Sequence, residues 1–521
     1  MMYPPLTLGY TVSRRYPVPL DPEVSFPHRL LVGGTGMGKT SFLMGLVYQQ
    51  LRRAGGVIYV DGKANPQNVL TMAHLAQCTG RWSLLRAIAP GQPWSHLYNP
   101  LHNERELDEA VNFLLNLLPP VSVQSEAQHY RDLVQSFLLK GLGVLRATGK
   151  TATLKDLLSM MTAPPQVVEE KFLADLKGTR HEERLGDLYY LTREILKKEA
   201  NALSGLIAQL QSIVATDLGN FMSTVYSDID FLTAVDLGAP VYVALPTSAN
   251  PARADALGRA FLADILAVMA SLTSERRPKP TPPALILLDE FGSFVFAEFA
   301  QMFAKAREAG VHVIASVTNI SELQASRKGL NDKFPDELTG NADAIFMRSL
   351  SPETLEWAER YFLPEKQMIP SRRESYGSNL SGRLASAHDR FWNPQQAVSH
   401  TIFDQATEKR EPRLPRERIP ELGLHEAFLF FRGRPALVAL VYYLLPATVA
   451  LRNVAKVLPS LLRSPQQPVA FGEYQLSLQI AAMSGPRTEK RVQDGTRDGV
   501  MTPESKKPRS TRSKTGTKQT P

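Results

Sequence analysis

At 521 residues the chain exceeds what one hydrophobic core usually serves, so two or more domains are expected. Hydrophobic residues make up 43% and charged residues 21%, the balance of an ordinary soluble globular protein. The net charge of +8 sits mostly at the end: residues 486–521 hold ten basic and four acidic side chains, which leaves +2 for the body and excludes a globally basic nucleic-acid binder.

A single cysteine, Cys78, excludes an intrachain disulfide and favours a reducing, intracellular setting. With no companion ligands around it, Cys78 reads as a small packing residue. The N-terminus carries no signal-peptide pattern. The longest apolar run, Ala436 to Leu451, would span about 24 Å as a helix, against a hydrocarbon core of about 30 Å, and it contains Pro446. A core strand followed by a turn is the better reading, so no transmembrane segment is expected.

In chain order, residues 1–24 read as an irregular, proline- and aromatic-rich lead-in. Residues 25–102 then form the first half of a nucleotide-binding domain. Leu30-Leu31-Val32 is a buried strand, Gly33-Gly34-Thr35-Gly36-Met37-Gly38-Lys39-Thr40 is a glycine-rich turn, and a helix runs from about Ser41 to Arg53. The turn fits the P-loop spacing of glycine, four residues, glycine, lysine and a hydroxyl residue. Its glycines let successive N–H groups converge on phosphate oxygens, and the helix behind points its positive end at the same anion. In this pattern Lys39 reaches the β/γ-phosphates and Thr40 offers its hydroxyl to Mg²⁺. A second buried strand, Val57 to Val60, ends in Asp61-Gly62-Lys63, which reads either as part of a ligand crevice or as a solvated turn.

From Asn103 to about Thr224 the pattern is near-continuous helix, so residues 103–232 read as an inserted all-α domain. The sheet resumes at Pro240–Leu245, and residues 233–463 form the second half of the nucleotide-binding domain. A helix is expected near Arg253–Leu272. After it comes Ala284-Leu285-Ile286-Leu287-Leu288, ending in Asp289-Glu290. An acidic pair at the tip of a buried strand is what a P-loop enzyme needs beside its phosphates. Asp289 would hold Mg²⁺ and Glu290 would act as general base on the attacking water. A helix carrying Phe299, Phe303, Lys305 and Arg307 leads to the strand Val311–Val317, tipped by Thr318-Asn319. This extra strand with a polar tip suits the P-loop ATPases with a catalytic glutamate. Further strands are Ala344–Met347 and a β segment within Phe428–Tyr443. Residues 464–521 are polar and basic, a disordered tail by composition.

Four stretches resemble the FtsK/HerA-type motor ATPases, in particular the type IV coupling proteins of conjugation and secretion: Gly33–Thr40, Val60-Asp61-Gly62-Lys63, Leu287-Leu288-Asp289-Glu290-Phe291, and Ala306-Arg307-Glu308-Ala309-Gly310 running into Val311–Ile314. Tyr98-Asn99-Pro100-Leu101 and Phe428–Gly433 are lesser echoes. The resemblance implies an α/β P-loop NTPase of RecA-like, additional-strand, catalytic-glutamate type. It implies a ring, usually hexameric, that moves DNA with ATP and Mg²⁺, partnered by relaxase or secretion-channel proteins and receiving its cargo on the helical insert. It also implies that Gly33 to Ser41 hold the nucleotide, that Thr40 and Asp289 hold the metal, and that Lys39, Glu290, Arg307 and Thr318 serve catalysis. Arg307 stands where the family places an arginine finger directed at a neighbouring subunit. Thr318 stands where coupling proteins commonly carry a glutamine sensor. The P-loop strand begins within 30 residues of Met1, so an N-terminal membrane anchor is not expected; the protein would be cytoplasmic, free or docked on a membrane partner. Two other readings stay open: a HerA-like or packaging DNA motor without a secretion partner, and a nucleotide-switched assembly factor that moves no DNA.

Overall fold

Apolar strands that alternate with helices can bury both of their faces only in a parallel sheet covered on each side. The computed structural model shows such a sheet. It describes residues 3–443, apart from 21–27, 90–91, 93–94, 103–104, 120–125, 246–250, 275–277, 297–298, 325–329 and 381–395. The expected tail from 464 lies outside the described residues, as does the end of the apolar run.

Seven strands are parallel: β3 (Arg29–Val32), β4 (Val57–Asp61), β5 (Arg86–Ile88), β6 (Pro240–Ala244), β7 (Ala284–Asp289), β8 (Val311–Val317) and β9 (Asp343–Met347). Their order across the sheet is β9-β3-β8-β7-β4-β6-β5. The strand with the acidic pair, β7, is therefore separated from the P-loop strand β3 by one intervening strand, β8. Every residue of β4, β6, β7 and β8 is buried. Successive side chains divide between two cores. Leu30 and Val32 join the core on one face, and Leu31 joins the core on the other.

The sheet continues past β9 through antiparallel strands: β12 (Glu426–Phe431), β13 (Arg434–Leu440), β1 (Leu6–Thr11) and β2 (Pro17–Leu20) at the edge. The irregular lead-in expected over 1–24 is thus corrected, since much of it forms two strands. Leu6, Leu8, Val18 and Leu20 are buried on the P-loop helix side of the sheet. Proline misled the reading. Pro17 and Pro19 lie in the edge strand, where a missing N–H breaks no ladder. Two long antiparallel strands, β10 (Pro364–Leu380) and β11 (Gln396–Pro412), form a separate ribbon that the sequence did not suggest.

One face of the sheet is covered by helices Lys39–Arg52 and Pro66–Cys78. Cys78 ends the second of these and is exposed, with its sulfur 3.4 Å from His74 Nε2; the packing role expected for it is corrected. On the other face lie Pro251–Ser274 and Phe299–Glu308. Between β5 and β6 the described residues hold only helical elements, from Leu107 to Asp236, and their apolar side chains run continuously into the core of that face. Helix 251–273 is long and apolar enough to cross a bilayer, with a mean hydropathy of 1.5. Its apolar window is 72% buried inside the protein, and its buried Asp264 binds Tyr98 and Arg105. That is the setting of a core helix.

Candidate nucleotide site

The carboxyl ends of β3, β7 and β8 meet at one edge of the sheet, where open α/β sheets form their ligand crevice. Beyond Val32 the chain turns through Gly36 and Gly38, both left-handed at φ 80° and 91°. A side chain at either position would strain the turn. Gly33 and Gly34 anchor the loop's start, their N–H groups donating to Val317 O at 3.2 Å and Arg348 O at 2.8 Å. Thr35 and Gly36 are exposed, and a Cβ added at Gly36 would meet nothing within 4 Å, so the loop's tip is open to a ligand.

Lys39 opens the helix and is only 6% exposed. Its Nζ donates to Gly33 O at 2.7 Å, to Gly34 O at 3.4 Å and to Thr318 Oγ1 at 3.5 Å. Burial lowers its pKa, against the opposing pull of Glu290 and Asp289. Thr40 donates its hydroxyl to Asp289 Oδ2 at 2.8 Å, which ties the P-loop to the acidic strand. Ser41, half-buried, accepts the N–H of Tyr443 at 2.9 Å. Met37 is half-buried.

Asp289 is held by two more hydroxyls. Tyr59 from β4 donates to Oδ2 at 2.8 Å, and Ser316 from β8 donates to Oδ1 at 2.6 Å. Sequence reasoning missed both. Both reach Asp289 because β4 and β8 flank β7, and burial beside two carboxylates raises the Tyr59 pKa far above the usual phenol value.

Glu290 adopts a left-handed backbone, φ 57° and ψ 41°, a strained choice for a residue with a side chain. The strain turns it off the strand and into the crevice. There one carboxylate oxygen binds Lys63, and the other accepts Thr318 Oγ1 at 3.4 Å. Burial alone would lower the Lys63 pKa, but its bond to Glu290 and the nearby carboxylates outweigh this and raise it. Glu322 adds another half-buried carboxyl, its pKa raised by burial and by the Glu290 charge. Of the two readings of Asp61-Gly62-Lys63, neither fits as a whole. Asp61 is fully buried, accepting Tyr242 OH and Asn68 Nδ2, both at 2.7 Å, so it organises the turn. Gly62 lets β4 pass close to the acidic pair; its added Cβ would lie 3.0 Å from Glu290 Cβ.

The structure therefore brings Lys39, Thr40, Asp289, Glu290 and Thr318 together. Arg307 lies elsewhere. It is exposed on the last turn of helix Phe299–Glu308, before β8 begins, at the amino edge of the sheet beside His28. No group of three or more metal-ligating side chains occurs among the described residues. A Mg²⁺ ion does not need one, since it commonly takes one or two protein oxygens and completes its shell with phosphates and water. The adjoining hydroxyl of Thr40 and carboxylate of Asp289 fit that donor set.

No family model matches the chain. Type 4 coupling protein DotL of Legionella pneumophila is 22% identical over 353 residues, 58% of this chain and 45% of DotL. The chain thus aligns with less than half the length of that relative. Among solved structures, the conjugative coupling protein TrwB is similar in its unbound form, at TM-score 0.52 and 16% identity, covering 85% of this chain and 90% of TrwB. TrwB bound to ADP and Mg²⁺ gives TM-score 0.55 at 16% identity, covering 86% and 93%. TrwB with the GTP analogue GDPNP gives 0.55 at 17% identity. At such identities the match shows a shared fold. The fold is that of an α/β P-loop NTPase, and in sequence and in architecture the chain is similar to the type IV coupling proteins.

Proposed function

We propose that this chain is the ATPase of a DNA-transfer apparatus, a coupling protein that hydrolyses ATP to drive DNA towards a secretion or conjugation channel. The observation that carries this reading is the Thr40–Asp289 hydrogen bond, with Lys39, Glu290 and Thr318 around it. It supplies every group that P-loop hydrolysis uses within one chain except a donor from outside. The backbone N–H groups of the loop beyond Gly34, within the Gly33–Ser41 stretch, and the Lys39 ammonium hold the triphosphate. Thr40 and Asp289 would hold Mg²⁺, which when bound neutralises charge on the phosphate oxygens. Glu290 takes the proton of the attacking water, once its carboxylate leaves Lys63. Thr318, between Lys39 and Glu290, senses the terminal phosphate in place of a longer amide. The position of β8 between β3 and β7 supports assignment to the additional-strand, catalytic-glutamate class.

Arg307, exposed at the opposite edge, completes the site of an adjacent subunit in a ring, where a guanidinium offers forked donors to the transition state. The helices from Leu107 to Asp236 form the inserted domain that receives cargo. Steady-state ATPase assays with and without single- and double-stranded DNA test the reading. A rate that rises severalfold with DNA supports it, and a rate indifferent to DNA points instead to an assembly factor.

A further inference from the structure

Two aromatic rings are packed against the P-loop, and the chemistry above uses neither. His425 lies just before β12 in a left-handed backbone, φ 61°, and Tyr442 lies two residues beyond β13. Leu440 N–H donates to His425 O at 2.8 Å, which holds the two ends of this hairpin together. The rings stack in parallel, centroids 4.1 Å apart at an interplanar angle of 10°. A Cβ added at Gly38 would lie 2.4 Å from His425 ring atoms, and one at Gly45 would lie 3.2 Å from the Tyr442 backbone. Tyr443 N–H also donates to Ser41 O at 2.9 Å. The pair is thereby fixed along the first two turns of helix Lys39–Arg52.

One face of Tyr442 is covered by His425, yet the residue remains 48% exposed, so its other face is open to solvent. His425 Nδ1 is buried without a hydrogen-bond partner. Burial lowers the pKa of its imidazole, as suits a ring that serves as a backing plate. A triphosphate seated on residues 33–41 must continue into its ribose and base beside the start of this helix. An aromatic face held rigid at that place offers stacking at little further cost in side-chain entropy.

We propose that Tyr442, backed by His425, is the platform on which the purine base of the bound nucleoside triphosphate stacks. This rests on the nucleotide-binding reading above and adds to it a subsite for the base. Stacking reads a π-face rather than a hydrogen-bonding edge, so the platform accepts adenine and guanine alike. Base–aromatic stacking of about 1–3 kcal/mol corresponds to roughly 5- to 150-fold in affinity.

Calorimetric titration of the full chain with ATP, GTP and inorganic tripolyphosphate, each with Mg²⁺, separates base from phosphates. Tyr442→Ala should weaken ATP and GTP by about tenfold or more, leave tripolyphosphate unchanged and unfold at the wild-type temperature. Tyr442→Phe, which keeps the ring, should bind all three as the wild type does. Unchanged ATP affinity in Tyr442→Ala, or an equal loss for tripolyphosphate, would overturn the platform. Wild-type protein that binds ATP no better than tripolyphosphate also removes the platform while the P-loop reading stands. Wild-type protein that binds neither removes both.

Discussion

The two edges of the same parallel sheet are built differently. At the carboxyl edge, charged and hydroxyl side chains from β4, β7, β8, the residues just beyond them and the P-loop helix saturate one another: Thr40, Tyr59 and Ser316 on Asp289, Lys63 and Thr318 on Glu290, and Lys39 on the P-loop carbonyls. At the amino edge a buried His28 stacks on Phe303 at 5.3 Å beside His312, while Arg307 projects outward, with no ion pair recorded for it among the described residues. One edge is thus a site assembled within a single chain. The other ends in a cation whose partner, on this account, belongs to another copy of the chain. The difference teaches that the two edges of one sheet can be tested apart: the carboxyl edge within a single chain, and Arg307, on the proposed reading, only between chains.

The largest expected effect tests this division directly. Arg307→Ala should bind ATP normally and hydrolyse it about 10³-fold or more slowly. Mixing it with Lys39→Ala protein should restore turnover, because mixed interfaces pair an intact P-loop with an intact arginine. A mixture that stays inactive while rings form would break the comparison. Next in size is Glu290→Gln at the carboxyl edge, which keeps shape but removes the base, for an expected loss of about 10²–10⁴ in rate. Single-turnover kinetics would read it, and a loss under about fivefold would place the base elsewhere.

A smaller effect is expected from Lys63. Its side chain is 56% exposed, so its bond to Glu290 is a modest restraint. Lys63→Ala should raise DNA-free turnover by up to about fivefold, since Glu290 is then free to reach the water. A fall in turnover would show that Lys63 assists catalysis instead. The smallest effect concerns the amino edge. Burial first, then the charges of His312, Arg29 and Arg307, push the His28 pKa down to about 3. The unfolded chain, with an ordinary histidine, binds more protons between that value and about 6.5. The contribution of His28 to stability is therefore whole above about pH 6.5 and is lost as pH falls towards 3. Urea unfolding at pH 7 and pH 5 should show His28→Gln losing about 1–2 kcal/mol less than the wild type. Parallel losses would contradict a neutral, buried His28.

Much of the carboxyl edge was legible in the sequence because its chemistry is local. Gly33 to Thr40 is a contiguous turn, and Asp289-Glu290 follows a five-residue apolar run that reads as a buried strand. What was not legible depends on pairing between distant segments. Tyr59 and Ser316 serve the site only because β4 and β8 flank β7, which no local pattern reveals. The strands β1 and β2 were hidden by prolines, which an edge strand tolerates. The stack of His425 on Tyr442 joins residues whose nearness to Gly38 follows from where the last hairpin enters the sheet. The sequence between Pro364 and Pro412 gave no sign of its two strands.

The most direct measurement is the rate of ATP hydrolysis by the wild-type chain and by Lys39→Ala, each with and without DNA. The account predicts turnover that rises severalfold on adding DNA in the wild type and falls to background in Lys39→Ala, whose fold is intact. Hydrolysis by Lys39→Ala near the wild-type rate would contradict the site, and wild-type hydrolysis unmoved by either form of DNA would contradict the motor.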